Sequence, residues 1–521
     1  MTSLPPTPRR QVDDTQPIPA VPPAAGPSPA GPSAAGPSAA GPEATQAIAP
    51  PQATRTMPAA GNPPPGSTQA TQVVAGPPPR RPRWLVPGVI ALVVVLVAGI
   101  LWWVSTPSSP QQPTGNAPVA VPSGVGPAPT GTGKTLDVAA DGSKQFRTIA
   151  DAAAQAKPGD TVLIQPGSYE GFRAPASGTD GQWITYEAAP GGAVEINGGD
   201  GSDNGRIDLS DRSFVRVAGL SVQKADRFGI YAEDTSNIVL DKVEVADSRH
   251  GGIVFLNGSK ITVQYANVHG NNSLGTDAEM EAISMDNVDG FEIVGCTVTG
   301  NGEEGIDAKY ESRNGRIHGN TASDNRGPNI YIDSAYDIVV SDNKVSGASG
   351  PGKTGIMLGV EDYSDTRRLA NIDIVNNVVT GNNGGGIGFF TESDGTFSDV
   401  RIVNNTIVGN ENAGLVLGNT NLSGTNVLRN NLFAGNEQDV KGRSGSTLTA
   451  DHNLFAAAGV GTDNVTGVPE FVDQPAGDLR LEPGTPGTGA GSPDGAPPAD
   501  IAGAARPQDK APDIGAYQTV E

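Results

Sequence analysis

Between Ile230 and Leu417 one short pattern recurs eight times, an apolar residue followed two positions later by another: Ile230/Ala232, Ile253/Phe255, Ile283/Met285, Ile306/Ala308, Ile330/Ile332, Ile356/Leu358, Ile387/Phe389 and Leu415/Leu417. Successive copies lie 23, 30, 23, 24, 26, 31 and 28 residues apart, bounded by Gly, Asn or Asp. Alternation of period two between turn formers predicts a short strand with one buried face. So short a strand buries little alone. Stacked copies bury a continuous core, so the repeat predicts a solenoid of parallel strands. A second pattern runs between the copies, in Ile374-Val375-Asn376-Asn377-Val378-Val379, Ile402-Val403-Asn404-Asn405-Thr406-Ile407 and Val427-Leu428-Arg429-Asn430-Asn431-Leu432. Val and Ile favour strands, whereas Asn tolerates left-handed backbone and can bond to the next coil. Each coil reads as two or three strands joined by Asn and Gly corners.

These repeats resemble the right-handed parallel β-helix of the pectate-lyase-like superfamily, over roughly residues 135–460. The resemblance implies an all-β solenoid. Leu136-Asp137-Val138, the helix-like stretch Ala150 to Lys157, and Pro158-Gly159-Asp160-Thr161 are similar to the N-terminal cap of carbohydrate-active β-helices. There an amphipathic helix covers the first coil, so that its sheet edge cannot recruit other chains. Arg506-Pro507 and Pro512-Asp513-Ile514-Gly515-Ala516-Tyr517 resemble a closing segment of such proteins.

Composition divides the chain further. Residues 1–83 are dense in Pro, Ala, Gly and Ser and lack the apolar side chains that offset ordering entropy, which predicts a disordered tail. Trp84 to Val104 is an uncharged, mostly apolar run of 21 residues, close to the ~20 that cross a bilayer as a helix. Arg80, Arg81 and Arg83 precede it and no Lys or Arg follows before Lys134. The positive-inside rule therefore predicts a single-pass membrane protein with a cytoplasmic N-terminus. Residues 105–133 read as a flexible spacer, and residues 134–521 as a domain outside the membrane. From residue 135 onward the chain holds 27 basic and 53 acidic side chains, which argues against nucleic acid as a partner. Cys296, the sole cysteine, reads as a buried structural thiol.

Side chains alternate across a strand, so the residues between the inward pairs point out. Stacking Ile283, Ile306 and Ile330 then gives two outward columns, Ser284/Asp307/Tyr331 and Asp286/Lys309/Asp333. Neighbouring coils carry Tyr231/Glu233, Val254/Leu256, Met357/Gly359 and Gly388/Phe390 there, so the charge sits mid-solenoid. Two insertions border it, Asn271 to Met280 and Val360 to Asn371, and predict the walls of a groove.

Proton abstraction α to a uronate carboxylate needs a base and a positive charge or donor beside the developing enolate. Lys309 is the candidate base, with Asp307 beside it; Glu281, Asp286, Glu303, Glu304 and Asp333 are candidate oxygen ligands for Ca2+. Tyr331, Arg367, Arg368 and Phe390 are candidate contacts to an acidic polysaccharide. Glu304-Gly305-Ile306-Asp307-Ala308-Lys309 resembles lyases that pair a Lys base with carboxylate-bound Ca2+. It is also similar to the alginate C5-epimerases, but Ala308, Lys309 and Tyr310 replace the Pro-His-Asp that follows Asp in their motif. Polygalacturonase-type hydrolysis would need a Gly-His-Gly segment, whereas His250 follows Arg249. A non-catalytic surface β-helix that binds glycan or protein is the alternative, in which Asp286, Lys309 and Asp333 form a solvated charge ladder worth only ~0–1 kcal/mol per pair.

Overall fold

The computed structural model describes residues 129–519, apart from 419, 443–446 and 458. The expected tail, membrane helix and most of the spacer lie outside the described residues. Among those described, no helix is long and apolar enough to cross a membrane.

Each coil follows the expected plan. Ile306–Lys309 lies on one face, Arg313–His318 on a second and Thr321–Ser323 on a third, before Ile330–Asp333 starts the next coil on the first face. Repetition builds parallel sheets of 11, 14 and 13 strands, a right-handed solenoid of about 13 turns. Ile230, Ile253, Ile283, Ile306, Ile330, Ile356 and Ile387 are fully buried in one continuous core, so the inward register is as the alternation predicts.

The paired asparagines divide the corner between them. The first of each pair, Asn376, Asn404 and Asn430, takes left-handed backbone at φ 56°, 54° and 57°. The second forms a buried ladder: Asn377 donates its N–H and Nδ2 to Asn405 Oδ1 at 2.9 and 3.0 Å and Nδ2 to Val340 O at 2.9 Å, while its own Oδ1 accepts from Asn343 N and Nδ2 at 3.0 Å each. Cys296 heads this ladder, buried, with its N–H on Asn320 Oδ1 at 2.8 Å; burial pushes its thiol up to about 12. Asn377→Ala removes an acceptor from Asn343 and a donor from Val340. It is therefore expected to destabilise the domain by about 2–4 kcal/mol, since each buried polar group left unpaired costs roughly 1–3 kcal/mol. Equilibrium denaturation would measure this, and a loss under about 0.5 kcal/mol would contradict the ladder's role.

The helix near the start spans Ile149–Ala153, shorter than expected, because Pro158 and Gly159 follow closely. Thr148 caps it, accepting from Asp151 N at 3.1 Å, and Ile149, Ala152 and Ala153 enter the main core. The C-terminal segment lies along a flank of the solenoid. Arg506 reaches Asn376 Oδ1 at 3.1 Å, Ala516 N donates to Thr406 Oγ1 at 2.8 Å and Gly515 N to Asn430 O at 2.7 Å, so it straps three successive coils. Ile514 and Ala516 pack with Val378, Val408, Leu432 and Leu454 in a second, smaller core.

Candidate functional site

Both outward columns form in the predicted register: Ser284 pairs with Asp307 and Asp307 with Tyr331, Asp286 with Lys309 and Lys309 with Asp333. The expected exposure does not follow. Glu281, Ser284, Glu303, Glu304, Asp307, Lys309, Tyr331 and Asp333 are all buried, and the Lys309 side chain is 6% exposed. The second insertion folds back onto the charged coils, whereas the first packs on the coils before them. Met280, at the end of one, packs on Phe228, Tyr231, Val254 and Leu256. From the other, Glu361 descends onto the charged coils, its N–H donating to Asp333 Oδ1 at 3.2 Å and to Ser334 Oγ at 3.1 Å.

Burial changes the pairing. Lys309 Nζ binds both carboxylate oxygens of Glu281 at 2.8 Å and stands 3.8 Å from Asp307 Oδ2, so its ion-pair partner comes from the turn before its neighbouring strand. Ser284 Oγ secures Glu281 from behind, donating to Oε2 at 2.7 Å. Several carboxylates share this buried space with one ammonium. Burial, then Glu281, hold the Asp307 carboxyl well above the usual carboxylate range, with Lys309 opposing. Burial and Glu361 do the same to Asp333, against its bonds from Ser334 and Glu361 N. Asp286, half-buried, is pushed up to about 6, chiefly by burial, with Lys309 lowering and Glu281 raising it.

Glu361 is the carboxylate that sequence reasoning did not place among the site residues. Tyr331 OH donates to its Oε1 and Tyr310 OH to its Oε2, each at 3.0 Å. The loop beyond it is pinned by Glu311, whose Oε1 accepts from Ser364 Oγ at 2.8 Å and Thr366 Oγ1 at 2.9 Å. Room for the Tyr331 ring exists because Gly359 follows Asp333 in the adjacent column; a Cβ there would collide with the phenol.

Glu303 and Glu304 face Arg326 and Lys353 at 3.7 and 3.9 Å. Arg367 binds Asp362 and Ser393 and donates Nε to Asp394 O at 3.0 Å, lining a cleft of about 510 Å3 with Thr366, Thr391 and Asn421. Arg368 begins a strand of the second face and sits 4.7 Å over the Tyr336 ring, away from the cluster. Phe390 is 39% exposed, in line with Asp333 and Gly359.

The donor chemistry suits a hard cation: oxygen ligands throughout, with Asp307 Oδ1 and Glu304 Oε2 buried and without a hydrogen-bond partner. The carboxylates are not, however, closed into a coordination shell. Among the described residues, no group of three or more His, Cys, Asp or Glu is placed to hold a metal ion.

Residues 206–359 match the family described as right handed beta helix region, and residues 308–458 one described as periplasmic copper-binding protein (NosD). The uncharacterized protein YwoF of Bacillus subtilis (strain 168) is 27% identical over 318 residues, 49% of this chain and 65% of that protein. The chain thus spans less than two thirds of that relative's length. Among solved structures, pectate lyase Pel9A aligns at a TM-score of 0.50 and 18% identity, over 75% of this chain and 98% of that one. The polygalacturonase from Erwinia carotovora ssp. carotovora aligns at 0.48 and 15%, over 63% and 99%. The pectate lyase alignment establishes the fold, a right-handed parallel β-helix of pectate-lyase-like type.

Proposed function

We propose that the chain binds a uronate-containing polysaccharide on this face and cleaves it by cation-assisted β-elimination, with the domain held outside a membrane by residues 84–104. The observation that carries this reading is Lys309, an ammonium enclosed with Glu281 and Asp307 at the middle of the face. Because these carboxylates are not closed into a shell, a divalent cation would be held here only with the uronate's own carboxylate as a further ligand, and would then supply positive charge against both. Once its own proton has passed to the ionised Asp307, Lys309 would accept the proton α to the uronate carboxylate; the electron pair forms a C=C bond as the bond to the leaving glycosidic oxygen breaks, and water protonates that oxygen. Glu281, while charged, holds Lys309 in its ammonium form and so keeps the base idle. Asp307, 3.8 Å from Lys309 Nζ, is placed to exchange a proton with it, and burial raises its carboxyl above the usual carboxylate range. The oxygen-only cluster favours a hard cation over copper, and the sole thiol, Cys296, is buried elsewhere.

A second reading, binding without turnover, draws support from the same burial, because Lys309 is 6% exposed. Both readings share an acidic glycan partner. Electrophoresis of the full-length protein through gels containing pectate, alginate or a neutral glucan tests that shared part. Retardation by a uronate polymer, reduced by EDTA, is expected. Equal mobility in all gels would contradict both.

A further inference from the structure

In five consecutive coils the corner that follows the strand of the first face has left-handed backbone, and four of them fill it with small polar residues: Asp234, Asn257, Asn287 and Ser334, at φ 54°, 53°, 51° and 51°. Tyr310 occupies the same corner at φ 45°. A bulky aromatic is disfavoured there and such strain, of order 1–3 kcal/mol, persists where surrounding contacts hold it. The contact in question is with Glu361: Tyr310 and Tyr331 come from adjacent coils, and each hydroxyl donates to a different oxygen of this one carboxylate at 3.0 Å. Gly359 leaves the space that Tyr331 needs to reach it. Lys309 Nζ lies 5.4 Å from the Tyr310 ring centre, so the paired hydroxyls adjoin the proposed base.

We propose that the Tyr310 and Tyr331 hydroxyls form a recognition site for the carboxylate of a uronate residue, and that Glu361 occupies this site as an internal stand-in until the glycan displaces it. This rests on the reading of the face as a uronate site. Replacing Glu361 by a uronate exchanges one carboxylate for another, so the cluster's charge is unchanged. Burial, with Asp333 and Glu361 for Tyr331 and with Glu361 and Asp333 for Tyr310, pushes both phenols up, so they remain donors across the working pH range. Beyond Glu361 the loop carries the 40% exposed Tyr363 and is held to Glu311 through the hydroxyls of Ser364 and Thr366, bonds that displacement of Glu361 can leave in place. A site blocked by its own side chain shows an affinity lowered by the fraction of time it is open.

Calorimetric titration of the full-length protein with oligogalacturonate, oligoalginate and, as a neutral control, cellotetraose tests this. Glu361→Ala is expected to tighten binding of one uronate oligomer by about tenfold or more, with no gain for cellotetraose. Adding Tyr310→Phe and Tyr331→Phe to that variant should abolish the gain. Glu361→Gln, which keeps the oxygen acceptor and removes the charge, should show a smaller gain and guards against a folding defect in the alanine variant, with melting curves as the control. If wild type binds a uronate oligomer and folded Glu361→Ala or Glu361→Gln binds it equally or more weakly, the stand-in is overturned while the uronate reading survives. If no folded variant binds any uronate oligomer, both fall.

Discussion

Lys309→Ala is expected to destabilise the middle of the solenoid by about 3–5 kcal/mol, the range for removing one member of a buried ion pair and leaving the other uncompensated. On a solvated ladder the same change would cost ~0–1 kcal/mol. The structure selects the larger figure because Nζ is bound at 2.8 Å to both oxygens of a carboxylate that is itself fully buried. The loss falls on Glu281, whose Oε2 still accepts from Ser284 Oγ but which loses the charge opposite it. Lys309→Met with Glu281→Met, which removes both charges at similar volume, should recover most of the stability. Chemical denaturation checks both. An alanine variant within about 1 kcal/mol of wild type would mean that the cluster is open to water.

Raising the pH from 4 to 8 in metal-free buffer is expected to weaken the same coils, and neutral variants should resist the change. A carboxyl whose folded pKa is raised releases its proton from the unfolded chain first. Its contribution to stability is therefore complete below the unfolded value of about 3.9 and is lost as pH rises through the folded value. For Asp286, raised to about 6, the window runs from about pH 4 to about pH 6 and the loss is on the order of 2–3 kcal/mol. Asp307 and Asp333, raised further above the usual range, extend the window upward. Asp333→Asn keeps an acceptor oxygen for Ser334 Oγ and Glu361 N but cannot ionise, so it should match wild type at pH 4 and exceed it at pH 8. Melting curves across this range measure the difference. A variant less stable than wild type at pH 8 would show that the ionised form is the favoured one.

The register of the site was legible because side chains alternate with a period of two, and one anchor, Ile306, fixes Asp307 and Lys309 outward in every coil it pairs with. Burial was not. It depends on where Met280 and Glu361 land, and the insertions that carry them have no periodicity to read. The choice of Glu281 over Asp286 and Asp333 as the partner of Lys309 has the same origin, since Glu281 precedes its strand and belongs to neither column. One signal is legible in the sequence: Tyr310 stands where equivalent corners carry Asp234, Asn257, Asn287 and Ser334, and its hydroxyl is held by Glu361. The asparagine pairs were read correctly as corner residues, although only the coordinates separate the left-handed first member from the hydrogen-bonded second.

The most direct test of the proposed chemistry is the appearance of unsaturated uronate ends, read by ultraviolet absorbance, when the full-length protein is incubated with pectate or alginate in the presence of Ca2+. The account predicts product from at least one polymer, none with EDTA, and none from Lys309→Arg. Arginine preserves the positive charge opposite Glu281, and hence the fold, but does not give up its proton to act as a base. Product formation by a folded Lys309→Arg protein, or no product from any uronate polymer with the wild-type protein and Ca2+, would contradict it.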